Sequence, residues 1–231
     1  GRPELLLVSG YSGIGKSSVV NELQRPVLER RSFLLRGKFD QFARDVPYAT
    51  LAQALRGLVQ QLLASPDAEL EAWRQQLHTA WEGQGQVLVE LVPQLELVAG
   101  PQSPVPALPP SEAQSRLTRL FERLLRVFAT PERPLLLFLD DWQWADPASL
   151  KLIQHLVVHA ETLPVLLVGA YRDNEVGASH PLMQTLAEMQ QSGALVGRVH
   201  LSALATEQTQ QLLVDALPGI EESEVSSLAE L

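Results

Sequence analysis

No cysteine occurs among the 231 residues. Disulfides, thiolate metal sites and thiol redox chemistry are therefore excluded, and a cytoplasmic location is the expectation. Basic charge is also scarce: Lys and Arg number 18 against 27 Asp and Glu, a net charge of −9. That balance argues against a broad electrostatic footprint for nucleic acid. Apolar runs long enough to cross a bilayer are missing. The opening GRPELLLVSG has neither the basic region nor the small-residue cleavage site of a secretory leader, so none is expected. The 5 histidines form no HExxH pair. His155 and His159 sit four apart without an acidic third ligand nearby, so they read as ordinary helix positions. No internal repeat of fixed period is present.

What the chain does have is 45% hydrophobic and 19% charged residues, enough to bury a sizeable core. Residues 5–9 read as a short buried strand, 16 to about 29 as a helix, and 32–39 as a second strand. From 48 to about 63, Leu51, Leu55, Leu58 and Leu62 recur at helical spacing. Ser65 followed by Pro66 predicts an N-cap with proline at the first helical position. That helix would carry Trp73, Leu77 and Trp81. The one biased segment, PQSPVPALPP at 101–110, reads as a semi-rigid connector, with a polyproline ligand as the second reading. Ser111 to Gln114 has the capping-box pattern and predicts an amphipathic helix with Leu117, Leu120, Phe121, Leu124 and Phe128 inward. Arg116, Arg119, Arg123 and Arg126 would form its solvated face.

After Pro134 the chain alternates strand (135–140, 164–172, 194–202) and helix (147–160, 181–191, 206–217), ending in the acidic EESEVSSLAEL. Continuous apolar strands alternating with helices predict a parallel sheet covered on both faces.

Two motifs carry chemistry. GYSGIGKS, from Gly10 to Ser17, matches GxxxxGK[ST] in full, between a strand and a helix. Glycines let successive main-chain N–H groups curl round an anion, and the helix start adds its positive dipole end. Lys16 would reach the β- and γ-phosphates and Ser17 would ligate Mg²⁺. Gly10, Gly13, Ile14, Gly15, Lys16, Ser17 and Ser18 form the expected nucleotide-binding set. Ile14 is a free position of the pattern, as is Tyr11, and Ser18 by itself reads as a helix residue. The second motif ends a strand, where open parallel sheets place ligands: LLLFLDD. Asp140 fits the metal-holding carboxylate and Asp141 the one that polarises water. Aspartate is one methylene shorter than glutamate, and about an ångström of misplacement can cost on the order of a hundredfold, so slow turnover is expected. Trp142 and Trp144 read as packing residues and Asp146-Pro147 as N-cap plus first helical position. Arg172 ends a strand expected between the two motif strands. It either points at the γ-phosphate or pairs with Asp173 or Glu175.

Together, GYSGIGKSS, GKFDQF, FLDDWQWADPASL and GAYRDNEV resemble the STAND-type AAA+ ATPase module, and more narrowly the ATPase domain of large bacterial multi-sensor kinases. The resemblance covers nearly the whole chain. It implies a P-loop NTPase fold with a five-stranded parallel sheet of order 5-1-4-3-2, a helical insertion at about 48–130, a core spanning 1–203 and the start of a helical lid at 204–231. It maps Walker A to the loop, Walker B to Asp140 and Asp141, and sensor 1 to Arg172. It also implies an upstream adenine-clamping segment and often a winged helix beyond the lid, so this sequence would be the core of a larger protein. No convincing arginine finger is present; Arg44 and Arg133 are the candidates.

The resulting expectation is an ATP-binding, slowly hydrolysing switch, with ATP and Mg²⁺ as cofactors and neighbouring kinase and sensor domains as partners. Nucleotide-dependent self-association is a further expectation. The alternatives are a nucleotide-binding scaffold with negligible hydrolysis and a DNA-associated AAA+ ATPase.

Overall fold

Strand β1 (Glu4–Ser9) lies inside the sheet that organises the molecule. In the computed structural model, which describes residues 2–160 and 162–216, β1 pairs with β4 (Val165–Tyr171) on one side and β5 (Val196–His200) on the other. Strand β3 (Leu135–Asp140) pairs with β4, and β2 (Leu34–Lys38) pairs with β3. All pairs are parallel, and the order β2-β3-β4-β1-β5 is the expected 5-1-4-3-2 read from the other edge. The motif strands β1 and β3 thus flank β4, as anticipated. LLLFLD and VLLVGAY are apolar on both faces because central parallel strands are covered on both sides. Charge appears in the edge strands LLRGK and VGRVH, where it blocks further pairing. Because every strand points the same way, Ser9, Lys38 and Asp140 emerge at one edge of the sheet.

Between β2 and β3 run α3 (Ala49–Leu63), α4 (Asp67–Trp81), α5 (Gln86–Leu91), α6 (Leu95–Ala99) and α7 (Pro110–Phe128). The predicted stripe of Leu51, Leu55, Leu58 and Leu62 is buried, as are Trp73, Leu77, Trp81 and the inward face of α7. Phe33, Trp73 and Phe128 meet edge to face, with centroids 5.4–6.2 Å apart, and lock α4 and α7 onto the entry to β2. After β3 come α8 (Pro147–His159), α9 (Pro181–Gln191) and α10 (Thr206–Ala216). Asp146 caps α8 as predicted, its Oδ1 accepting from the Ser149 amide at 2.8 Å. The EESEVSSLAEL segment lies outside the described residues.

Local expectations differ in four places. The helix after the loop is two helices, α1 (Lys16–Glu22) and α2 (Gln24–Glu29), because Pro26 has no N–H to donate to the Glu22 carbonyl. Helix α4 starts one residue late. Pro66 is itself the N-cap, extended at ψ 147°, and its carbonyl accepts from Glu69 and Leu70. The capping box at Ser111 does not form: Pro110 already occupies the first helical position, its φ pre-set, so Ser111 lies inside the first turn. Finally, the arginines of α7 are more than a solvated face. Arg123 pairs with Glu82 at 2.8 Å, Arg116 donates to the Pro106 carbonyl of the connector, and Arg126 reaches Glu122 and Thr162.

Glu122 also lies 3.2 Å from His155 Nε2, joining α7 to α8. Burial pushes its carboxyl up, but hydrogen bonds from Arg126 and His155 outweigh that and hold it below the ordinary glutamate value. A pKa depressed on folding adds stability above the unfolded value, and that stability is lost as pH falls through the folded one. Glu122→Gln is therefore expected to destabilise the fold by about 0.5–1 kcal/mol at neutral pH, toward the low end because Arg126 is 39% exposed and screened. The difference between variant and parent in urea midpoint should shrink as the solution is acidified.

Candidate nucleotide-binding site

The chain turns at Gly10 as it leaves β1. A Cβ there would lie 2.6 Å from the Leu201 carbonyl oxygen, so the turn needs glycine for lack of room. Gly15 needs it for a different reason. Its φ is 101°, and apart from its chain neighbours no described residue lies within 4 Å of where a Cβ would be. The open space is the hollow that a ligand would fill. Helix α1 begins on the next residue and aims its unpaired first-turn amides into that hollow. The Lys16 side chain is buried and spans the loop, Nζ donating to the carbonyls of Gly10 at 2.8 Å and Tyr11 at 2.6 Å. Burial lowers its pKa from the ordinary lysine value, with Asp140 opposing. Phosphate oxygens would favour the charged form again.

From the end of β3, Asp140 accepts from the Ser17 hydroxyl at 3.4 Å through Oδ2 and from the Asp141 amide at 2.9 Å through Oδ1. Asp141 stands at φ 53°, a left-handed conformation that costs a non-glycine residue about 1 kcal/mol. Its carboxylate is 5% exposed and closely held: Lys38 Nζ lies 3.3 Å from Oδ2, and Oδ1 takes Gln143 Nε2 at 3.0 Å and Arg172 Nε at 3.5 Å. Both readings of Arg172 have support. It pairs with Glu175 at 2.7 Å, which holds the guanidinium firmly charged, yet it also lines the cavity. Asp173 pairs instead with His200 at 3.3 Å. Trp144 supports the guanidinium, 5.1 Å from the ring centroid, while Trp142 is fully buried against Gly169. Trp142 therefore packs, and a buried indole has no face left for a base.

Gly13, Gly15, Lys16, Ser17, Ser18, Asp140, Asp141 and Arg172 line one cavity of about 260 Å³. Two members of the expected set do not: Gly10 contributes its carbonyl to Lys16, and Ile14 sets a methyl beside Gly10. Lys38 does line it, although its sequence context singles out no role. Only the pairing of β2 with β3, which places Lys38 opposite Asp140, reveals it. Gln143 escapes sequence reasoning as well, since glutamine beside two tryptophans carries no signal of its own. Arg44 donates to the Gln143 carbonyl at 3.0 Å, so it already serves the segment after β3. Arg133 precedes β3 and so lies at the opposite edge of the sheet from the cavity.

Lys16, Lys38 and Arg172 against Asp140 and Asp141 give the cavity an excess of positive charge suited to a polyphosphate with a divalent cation. Ser17 Oγ and Asp140 Oδ2 are adjacent hard oxygens, a donor set that fits Mg²⁺, which takes few protein ligands and completes its shell with phosphate and water. Among the described residues no group of three or more His, Asp or Glu is placed to cage a metal unaided, so phosphate oxygens would have to complete the shell.

A parallel sheet with this loop at the end of β1 and paired carboxylates at the end of β3 is a P-loop NTPase fold. Residues 1–168 match the AAA ATPase domain, and the chain belongs to that family. It is 40% identical over 157 residues to hybrid signal transduction histidine kinase G of Dictyostelium discoideum, covering 68% of this chain. It is 25% identical over 164 residues to histidine protein kinase 1 of Candida albicans, covering 65%. The chain spans 4% and 7% of the lengths of those two relatives. Among solved structures, Cdc6p from Pyrobaculum aerophilum superposes with a TM-score of 0.51 at 14% identity, over 99% of this chain and 48% of that one. That likeness concerns the fold.

Proposed function

We propose that this chain binds ATP with Mg²⁺ and hydrolyses it slowly, acting as a nucleotide-dependent switch of the STAND type inside a larger signal-transduction kinase. The observation that carries the reading is the convergence of Lys16, Ser17, Asp140, Asp141 and Arg172 on one cavity. Lys16 neutralises phosphate charge, Ser17 and Asp140 hold the metal, Asp141 orients the attacking water, and Arg172 senses the γ-phosphate. Bound Mg²⁺ would supply charge neutralisation at the phosphate oxygens. The 40% identity to a hybrid histidine kinase supports the setting, and the small share of that protein covered leaves its kinase chemistry to other segments. The chain itself has no HRD or DFG sequence.

A switch needs contacts that differ between ATP and ADP. Arg172 can supply one, by exchanging Glu175 and Asp141 for a γ-phosphate oxygen, and α10, taken as the start of a lid, is the element such an exchange would move. Self-association with ATP bound would be a second output. One observation favours the alternative of a scaffold with negligible turnover: the Asp141 carboxylate is held by Lys38, Gln143 and Arg172, so a water must compete for it.

Titration with ATP, ADP and GTP in the presence of Mg²⁺, followed by single-turnover phosphate release, tests both. Metal-dependent cleavage of bound ATP is expected. Binding without cleavage selects the scaffold, and no binding of any nucleotide overturns the proposal.

A further inference from the structure

We propose that Gln143 is a positioning residue that presents the Asp141 carboxylate to the attacking water and keeps it in register with Arg172. This rests on the water-orienting role proposed for Asp141.

Gln143 is 1% exposed and follows β3 by three residues. Its Nε2 donates to Asp141 Oδ1 at 3.0 Å, and its Oε1 accepts from the Arg172 main-chain N–H at 3.2 Å. One amide therefore joins the tip of β3 to the tip of β4. Its orientation is forced, because a flipped amide would set oxygen against carboxylate and NH₂ against N–H. The residue itself is pinned: its main-chain carbonyl accepts from Arg44 Nη2 at 3.0 Å, and the His180 side chain lies near that carbonyl.

Such an anchor has work to do here. Asp141 stands on left-handed backbone, so regular strand geometry does not aim its side chain. Gln143 takes Oδ1, leaving Oδ2 on the Lys38 side for other partners. Because the same amide holds the Arg172 backbone, any shift of the carboxylate drags on the residue that would sense phosphate.

Two substitutions test this. Gln143→Leu keeps the bulk and removes both side-chain bonds. Gln143→Glu keeps the shape and the acceptor but replaces the donor. With Gln143→Leu, kcat for ATP should fall about a hundredfold, the effect of roughly an ångström of misplacement, while the ATP dissociation constant from calorimetry stays within about twofold. Gln143→Glu should be equally slow at about pH 8 and recover toward about pH 6, because a protonated carboxyl facing Asp141 again donates. The charged and titratable groups facing the position are Asp141, Arg172, Arg44 and His180, with Lys38 across Asp141. Gln143→Leu retains all of them, so the ratio of the two variants' rates isolates the introduced carboxyl.

A ratio flat with pH overturns the inference. So does parental kcat in Gln143→Leu, or a loss of ATP affinity that matches the loss of kcat. If Gln143→Leu does not fold, the ratio of Gln143→Glu to the parent, over the same pH range, decides on the same criterion. An unsubstituted chain that binds ATP and hydrolyses none of it selects the scaffold reading and overturns this inference with the hydrolytic one. An active parent, an inactive Asp141→Asn and Gln143 variants at parental speed overturn the inference alone.

Discussion

Lys16→Ala is expected to raise the dissociation constant for ATP by about a hundredfold or more, a difference of about 2.7 kcal/mol. Hydrogen bonds to a charged group contribute about 1.5–3 kcal/mol each, and this ammonium makes two to its own loop, at 2.8 and 2.6 Å. Truncation thus removes the cation that would meet the phosphates and the clasp that ties the start of α1 back to the Gly10 and Tyr11 carbonyls. Unliganded stability should change far less, because the loss of the two bonds to the loop is partly offset. Burial already disfavours the charged form of Lys16, so its loss relieves a desolvation penalty. Thermal unfolding separates the two effects. The parent should gain stability as ATP and Mg²⁺ are added, by the logarithm of ligand over dissociation constant, and Lys16→Ala should not. Equal stabilisation of both proteins would mean that ATP binds somewhere other than this loop.

The second large effect is expected at the carboxylates, where neighbouring residues should fail in different ways. Asp141→Asn should lower single-turnover hydrolysis by about 10²–10³-fold while ATP binding persists, because orienting and deprotonating water is worth about that much. The asparagine Oδ1 can still accept from Gln143, the displaced Lys38 is 61% exposed and can turn to solvent, and Arg172 keeps Glu175. The fold should therefore survive. Asp140→Asn should instead show itself in metal dependence. Its Oδ2 beside Ser17 would hold Mg²⁺, so hydrolysis should require a far higher Mg²⁺ concentration. Identical magnesium curves for the two variants would contradict the division of labour between Asp140 and Asp141.

Several elements are legible in the amino-acid order because their causes are local. Leu51, Leu55, Leu58 and Leu62 sit one helical turn apart and are buried together. LLLFL and VLLVGAY are apolar runs, which strands covered on both faces tolerate. The reading fails where two local signals compete. Ser65 and Ser111 look like caps, yet the prolines beside them, with fixed φ, set the helix starts at Asp67 and Pro110. The helix after the loop reads as one because the apolar spacing runs through Pro26, whereas the missing N–H at that residue divides it.

What the amino-acid order by itself determined is the glycine-rich loop with its lysine and hydroxyl, and the strand and helix start that flank it. Eight consecutive residues carry the glycines, the lysine and the hydroxyl, and their geometry follows from backbone sterics and a helix start. Tertiary structure alone decided who meets whom round Asp141. Lys38 reaches it because β2 lies beside β3. Arg172 reaches it because β4 lies between β3 and β1. Gln143 takes one amide orientation because those two strand tips offer a carboxylate and an N–H at once. Strand adjacency is a long-range outcome of packing the whole sheet, so no short window of the chain encodes it.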